Sequence, residues 1–307
     1  MLLYSILLGA TAVLAAPTCT SAAAGNNTVT LYLSPSTIAG LQLALYLENL
    51  EVNLFQSAAA NITSGDIAQG ISNVTLDAVR EAALQEQVHQ TTLQKLLLAA
   101  GAPLIPECNY IFPSRNTSEF LSLGRFLSSV GVGAILTLAE TVSTLDSNLV
   151  SGIASIATIE ARHDAFFNMV NRQLPNPAPF DTPISSTWAY NLALEFIIPA
   201  SCPVELPIPI LPTLTTQATL QSNRTSMKFS WDPTQKPVIQ EDGWVNQLGP
   251  PVYTPLKSIG NGTGIANVPH NLKGAVYAAL TTQNTIMSVD DLTGATLAGP
   301  AIILVDQ

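Results

Sequence analysis

Basic side chains are scarce in this chain: 11 Lys plus Arg face 21 Asp plus Glu, a formal charge of −10 over 307 residues. No basic stripe is left to neutralise phosphates or anionic lipid headgroups, so nucleic acid is not an expected partner. Histidine is rarer still. Of the three in the chain, His89 and His163 fall in Glu-x-x-His pairs and His270 reads as a loop residue, which leaves no Ser-His-Asp constellation. Gly-rich phosphate loops and zinc-type Cys/His spacings are also missing. After the first fifteen residues no apolar run reads as long enough for a membrane anchor, and the C-terminal AIILVDQ is too short for a lipid-anchor signal.

Cysteines number three, Cys19, Cys108 and Cys202, an odd count in which Cys108 and Cys202 each follow a predicted helix within a Pro-rich connection. They are the expected disulfide, with three unconnected thiols as the alternative. An oxidising compartment is expected on other grounds too. Residues 1–15, MLLYSILLGATAVLA, read as a secretory leader cleaved near Val13-Leu14-Ala15. Six Asn-x-Ser/Thr sequons follow, at Asn26, Asn61, Asn73, Asn116, Asn223 and Asn261. The expected location is extracellular, the cell wall included.

With 47% hydrophobic residues the chain can bury a large core. Four long helices are predicted, over about 36–58, 75–100, 118–144 and 146–173, with a short fifth in SSTWAYNLALEFI. Ser34 or Ser36 suits the first cap, and Pro175, Pro177 and Pro179 forbid continuation of the fourth helix. From Val204 a Pro-rich linker leads into short strand-like runs, SMKFSW, GAVYAAL and AGPAIILV, which suggest a small sandwich. The expected division is leader 1–15, helical bundle 16–203 and β-rich part 204–307.

The 3-4 spacing of a helix face gives one row per helix. The first reads Leu41, Leu45, Glu48, Val52, Phe55; the second Val79, Ala82, Glu86, His89, Leu93, Leu96; the fourth Ile153, Ile156, Glu160, His163, Phe167, Val170, Leu174. Acids and histidines interrupt rows that are otherwise apolar. A lone buried carboxylate costs several kcal/mol even after relaxation, so these groups need compensation, and a cation would supply it. Each Glu-x-x-His pair places an oxygen and a nitrogen one turn apart on one face, and two such pairs can grip a pair of metal ions. Arg162 and Asp164, beside His163 but off that row, are expected to face solvent or brace neighbours.

The runs LALYLENLEVNLF, LQEQVH, SSVGVGAILTLAE and IEARHDAFF together resemble the ferritin-like proteins that include plant desiccation-related proteins and fungal secreted stress-response and sexual-development proteins. The resemblance implies an all-α ferritin-like four-helix bundle, taken here as up-down-up-down, and likens the strand-rich part to the extension of the fungal members. It selects Glu48, seven residues before Phe55, as the first-helix ligand and leaves Glu51 as a supporting acid. The implied metal ligands are thus Glu48, Glu86, His89, Glu160 and His163. One departure stands out: the third-helix row Leu121, Gly124, Ser128, Gly131, Ile135, Leu138, Val142 holds no acid, and Glu140 lies about 200° off it. Family members often carry Glu where this chain has Ser128. The expected site is therefore incomplete, taking one or two ions of Fe, Mn or Zn or staying metal-free. The alternative is a non-catalytic extracellular scaffold that binds wall material or a protein through its β-rich part.

Overall fold

The computed structural model describes residues 30–62, 72–216, 219–221, 225–234 and 241–306. The expected leader, Cys19, Asn26 and Asn223 lie outside the described residues. Helices α1 (Pro35–Asn61), α2 (Asn73–Ala99), α3 (Thr117–Leu145), α4 (Val150–Val170) and α5 (Ser186–Leu194) come first. Ser34, Ser72, Asn116 and Ser185 each accept a first-turn backbone N–H at the start of α1, α2, α3 and α5, a contribution of about 1 kcal/mol per cap. Helix α4 has no such cap and grows out of a 3-10 turn, Ser147–Leu149. It stops at Val170, so Leu174, expected on its inward row, is exposed.

The bundle runs up-down-down-up, a correction to the up-down-up-down expectation. The N–H of Leu31, ahead of α1, donates to Ala99 O at the end of α2. The N–H of Ser34 donates to Asp146 Oδ2 beyond the end of α3. At the other end Phe55 meets Phe120 edge to face. Both α2 and α3 therefore run antiparallel to α1. Residues 100–116 must return along the whole bundle, and Pro103, Pro106 and Pro113 keep that segment extended. It climbs α1 in step: Gln42 donates to Pro103 O, Asn49 to Ile105 O, and Asn53 to Glu107. Covered by this strap as well as by helices, α1 is buried on almost every side from Leu45 to Val52, which explains its weak amphipathicity.

Helix α3 gives no clear membrane span. By length and composition it qualifies as one, alone among the described helices; here it lies inside the bundle, against α1, α4 and α5.

The strands are β1 (Leu214–Thr215), β2 (Thr219–Gln221), β3 (Ser226–Trp231), β4 (Glu241–Asn246), β5 (Val252–Gly260), β6 (Thr263–Asn267), β7 (Gly274–Thr281) and β8 (Ala298–Asp306), with a short helix α6 (Val289–Gly294) before the last. They form one sheet in the order β1-β3-β6-β5-β4-β7-β8-β2. Strand β5 pairs with β4 through its first half and with β6 through its second. The N–H of Gly299 donates to Pro212 O just ahead of β1. The sheet thus rolls toward closure rather than dividing into two separate layers. Residues alternate along β7 and β8: Val276, Ala278, Leu280, Ile303 and Val305 fill the roll, whereas Tyr277, Ala279, Ile302 and Leu304 join the core of the bundle. The apolar runs GAVYAAL and AGPAIILV arise because both faces of these strands are covered. Tyr277 Oη donates to Ser129 O across the junction.

Cys108 and Cys202 form a disulfide, fastening the return strap to the chain beyond α5. Asn61 and Asn73 lie in the terminal residues of α1 and α2 rather than in a loop, and with Asn116 and Asn261 they are exposed.

Candidate metal centre

Glu48 on α1, Glu86 and His89 on α2, and Glu160 and His163 on α4 are all buried at mid-bundle. They converge. Glu86 spans the two imidazoles, with Oε1 2.8 Å from His163 Nδ1 and Oε2 3.2 Å from His89 Nδ1. Glu160 spans the same rings, with Oε1 2.9 Å from His89 Nδ1 and Oε2 3.6 Å from His163 Nδ1. Glu48 Oε1 adds a third carboxylate 3.7 Å from His89 Nδ1. Ligand atoms of Glu48, Glu86, His89 and Glu160 all lie within 4.8 Å of one another.

Of these contacts, His89 Nδ1 with Glu86 Oε2 has the geometry of a hydrogen bond. Glu48 Oε2, Glu86 Oε1, both oxygens of Glu160 and His163 Nδ1 are buried, yet none makes a hydrogen bond. Buried polar atoms are almost always paired, so lone pairs that approach each other without alignment indicate a missing partner at their focus. That is the test of fit for a metal ion, and the donor set passes it: imidazole nitrogen and carboxylate oxygen suit Fe, Mn or Zn.

The electrostatics agree. Burial alone would lift the Glu86 carboxyl, but the adjacent His163 and His89 outweigh it and hold it at about 2. Burial likewise opposes charge on the imidazoles, but Glu160 and Glu86 outweigh it, raising His89 to about 9 and His163 to about 10. Glu48 and Glu51 are pushed well above the usual carboxylate range, by burial first and then by the carboxylates of Glu86 and Glu160. Protons occupy the metal-free site where a cation would otherwise compensate the acids.

A residue not foreseen from the sequence sets one imidazole. Gln85 Oε1 lies 2.8 Å from His163 Nε2, and since an amide oxygen only accepts, Nε2 carries a proton, which leaves Nδ1 as the nitrogen that can give up its own proton and offer a lone pair to a metal ion. Gln85 adjoins Glu86, but reading α2 by itself gives no sign that its amide reaches α4. Of the off-row pair, Arg162 is exposed, whereas Asp164 accepts from Ser129 Oγ on α3 at 2.6 Å and from Asn168 Nδ2 at 2.8 Å. Burial lifts Asp164 to about 6 against those hydrogen bonds.

The contacts Arg125 to Asn168 and Ser129 to Asp164 on the antiparallel pair α3 and α4 place Glu160 opposite about residue 133, more than a turn beyond Ser128. Ser128 is fully buried with an unpartnered hydroxyl. Gly131 is the residue of the inward row next to the level of Glu160. Glu140 is exposed. Gly124 packs against Phe167, as close helix packing requires, whereas a Cβ on Gly131 would stand 2.8 Å from Glu51 Oε1. A cavity of about 310 Å³ runs between α1 and α3, walled by Leu43, Leu47, Ile135 and Leu138, with Glu48, Glu51 and Glu160 at its polar end and exposed Ser36 and Ser186 at the surface.

Residues 36–173 match the family model of the ferritin-like domain. The match spans α1 to α4 and every side chain of the centre, and leaves the strands outside it. No curated protein matches the chain significantly.

Proposed function

We propose that this chain, whose residues 36–173 match the ferritin-like domain, is a secreted protein that holds Fe, Mn or Zn in the bundle core and uses it in metal sequestration or, with Fe or Mn as the reductant, in reducing dioxygen or peroxide. The observation carrying this reading is that Glu48 Oε2, Glu86 Oε1, both oxygens of Glu160 and His163 Nδ1 converge, buried, without a hydrogen-bond partner. His89 and His163 would bind through Nδ1, Glu86 and Glu160 would straddle the two positions, and Glu48 would close the His89 side. A bound redox-active ion would supply electrons to the oxidant. The chain's own contribution is to orient His163 through Gln85 and to keep the ligand side chains buried at the end of the cavity. Elemental analysis of protein purified without chelator tests the reading: metal in wild type and its loss in Glu86→Ala is expected, and an empty protein indifferent to that substitution contradicts it.

Secretion is supported by exposed sequons at Asn61, Asn73, Asn116 and Asn261 and by the disulfide. A mass loss on deglycosylation of protein recovered from culture medium is the expected result. We extend the resemblance to a role in stress response or sexual development. Gly131, where a carboxylate would complete the site from α3, favours a second reading: a non-catalytic extracellular scaffold that binds wall material or a protein through its rolled sheet. A stress phenotype intact in a Glu86/Glu160 double mutant would support that alternative.

A further inference from the structure

We propose that Glu51 supplies the terminal carboxylate of a second cation position, reaching from α1 into the space that Gly131 leaves on α3. The proposal rests on reading the bundle core as a metal centre and completes its unfinished half.

The centre is lopsided if only the expected ligands are counted. Glu86 and Glu160 each span both imidazoles, and Glu48 adds a carboxylate beside His89. Nothing on α3 answers it beside His163. Glu51 lies one turn beyond Glu48 on α1. Because α1 and α4 are both antiparallel to α3, the step from Glu48 to Glu51 runs in the same direction as the step from Glu160 to His163. Glu51 is thus displaced from Glu48 along the bundle in the direction in which His163 is displaced from Glu160.

Its carboxylate stays inside the bundle: the residue is buried and lines the same cavity end as Glu48 and Glu160. The fit depends on glycine. A Cβ at position 131 would stand 2.8 Å from Glu51 Oε1 and 3.5 Å from its carboxyl carbon, so any other residue there would push the carboxylate away. Glu86 Oε1, Glu160 Oε2 and His163 Nδ1, unpartnered atoms of residues over nine-tenths buried, point independently to an unfilled cation position on this side. A carboxylate from the first helix replaces one from the third, and three acids with one imidazole make a site for a divalent transition metal.

The test loads the full chain with Mn²⁺ by equilibrium dialysis and reads both the metal ratio and the electron paramagnetic resonance spectrum. Wild type should bind about two ions per chain with an exchange-coupled signal, and Glu51→Gln about one with an uncoupled six-line signal. Gly131→Ala should lose the same ion while retaining every carboxylate, with circular dichroism confirming that both variants fold. Two coupled ions in all three proteins would overturn this proposal and leave the metal reading standing, as would a single ion in wild type that Glu51→Gln retains. No ion in wild type would overturn both.

Discussion

Gln85 on α2 accepts a hydrogen bond from His163 on α4, its Oε1 2.8 Å from Nε2. This cross-helix contact fixes which nitrogen faces the centre. Removing the partner of a ligating imidazole typically costs 10–100-fold in metal affinity, so Gln85→Ala should weaken metal binding by about that factor. Competition against a chelator of known affinity gives the number. A melting temperature nearly unchanged without metal would separate orientation from folding.

Uptake of metal should release protons. Neutral imidazole and ionised carboxylate are the ligand forms, yet His89 and His163 titrate at about 9 and about 10, and Glu48 and Glu51 are raised as well. Affinity should therefore climb with pH through the neutral range. Calorimetry in buffers of differing ionisation enthalpy measures the protons released; a value of zero would contradict the protonated metal-free site.

The metal-free protein should show the opposite trend in stability. The raised imidazoles stabilise fully below their unfolded value of 6.5, and this contribution is lost as pH rises through about 9 to 10. Glu86, depressed to about 2, stabilises fully above 4.5 and loses its contribution as pH falls toward 2. Glu48 and Glu51, being raised, destabilise increasingly as pH climbs above 4.5. Melting temperature without metal should peak between about pH 4.5 and 6.5 and fall toward pH 9. Loading with metal should flatten the alkaline side.

Asp242 of β4 is fully buried with both carboxyl oxygens unpartnered, and burial raises it well above 3.8. Such a group penalises the fold once pH exceeds its unfolded value. Asp242→Val, which suits a strand, should stabilise by about 1–3 kcal/mol at neutral pH and by less near pH 4. Denaturant unfolding at the two pH values checks both magnitude and sign.

The disulfide closes a loop across 94 positions and anchors the strap that lies along α1. Replacing Cys108 and Cys202 by Ser should cost about 2–5 kcal/mol. The unreduced, denatured protein should titrate fewer thiols than its three cysteines, and reduction should expose the remainder.

Much of this architecture was legible in the sequence because its signals are local. Caps such as Ser34, the prolines after Gln173 and the 3-4 rows through Glu48, Glu86 and Glu160 depend on residues within a turn or two. Helix direction does not. A segment such as 100–116 can serve as a short reversal or as a strap, and only contacts distant in sequence, Asn49 with Ile105 among them, decide which. Gln85, and what the glycine at 131 on the third-helix row accommodates, stay hidden for the same reason: each acts on a side chain from another helix, Gln85 by a hydrogen bond and Gly131 by leaving room.

Anomalous diffraction from crystals of protein purified without chelator tests the central claim most directly. The account predicts a peak enclosed by Glu48, Glu86, His89 and Glu160, absent from Glu86→Ala crystals. Featureless density there, with these side chains turned outward into solvent, would contradict it.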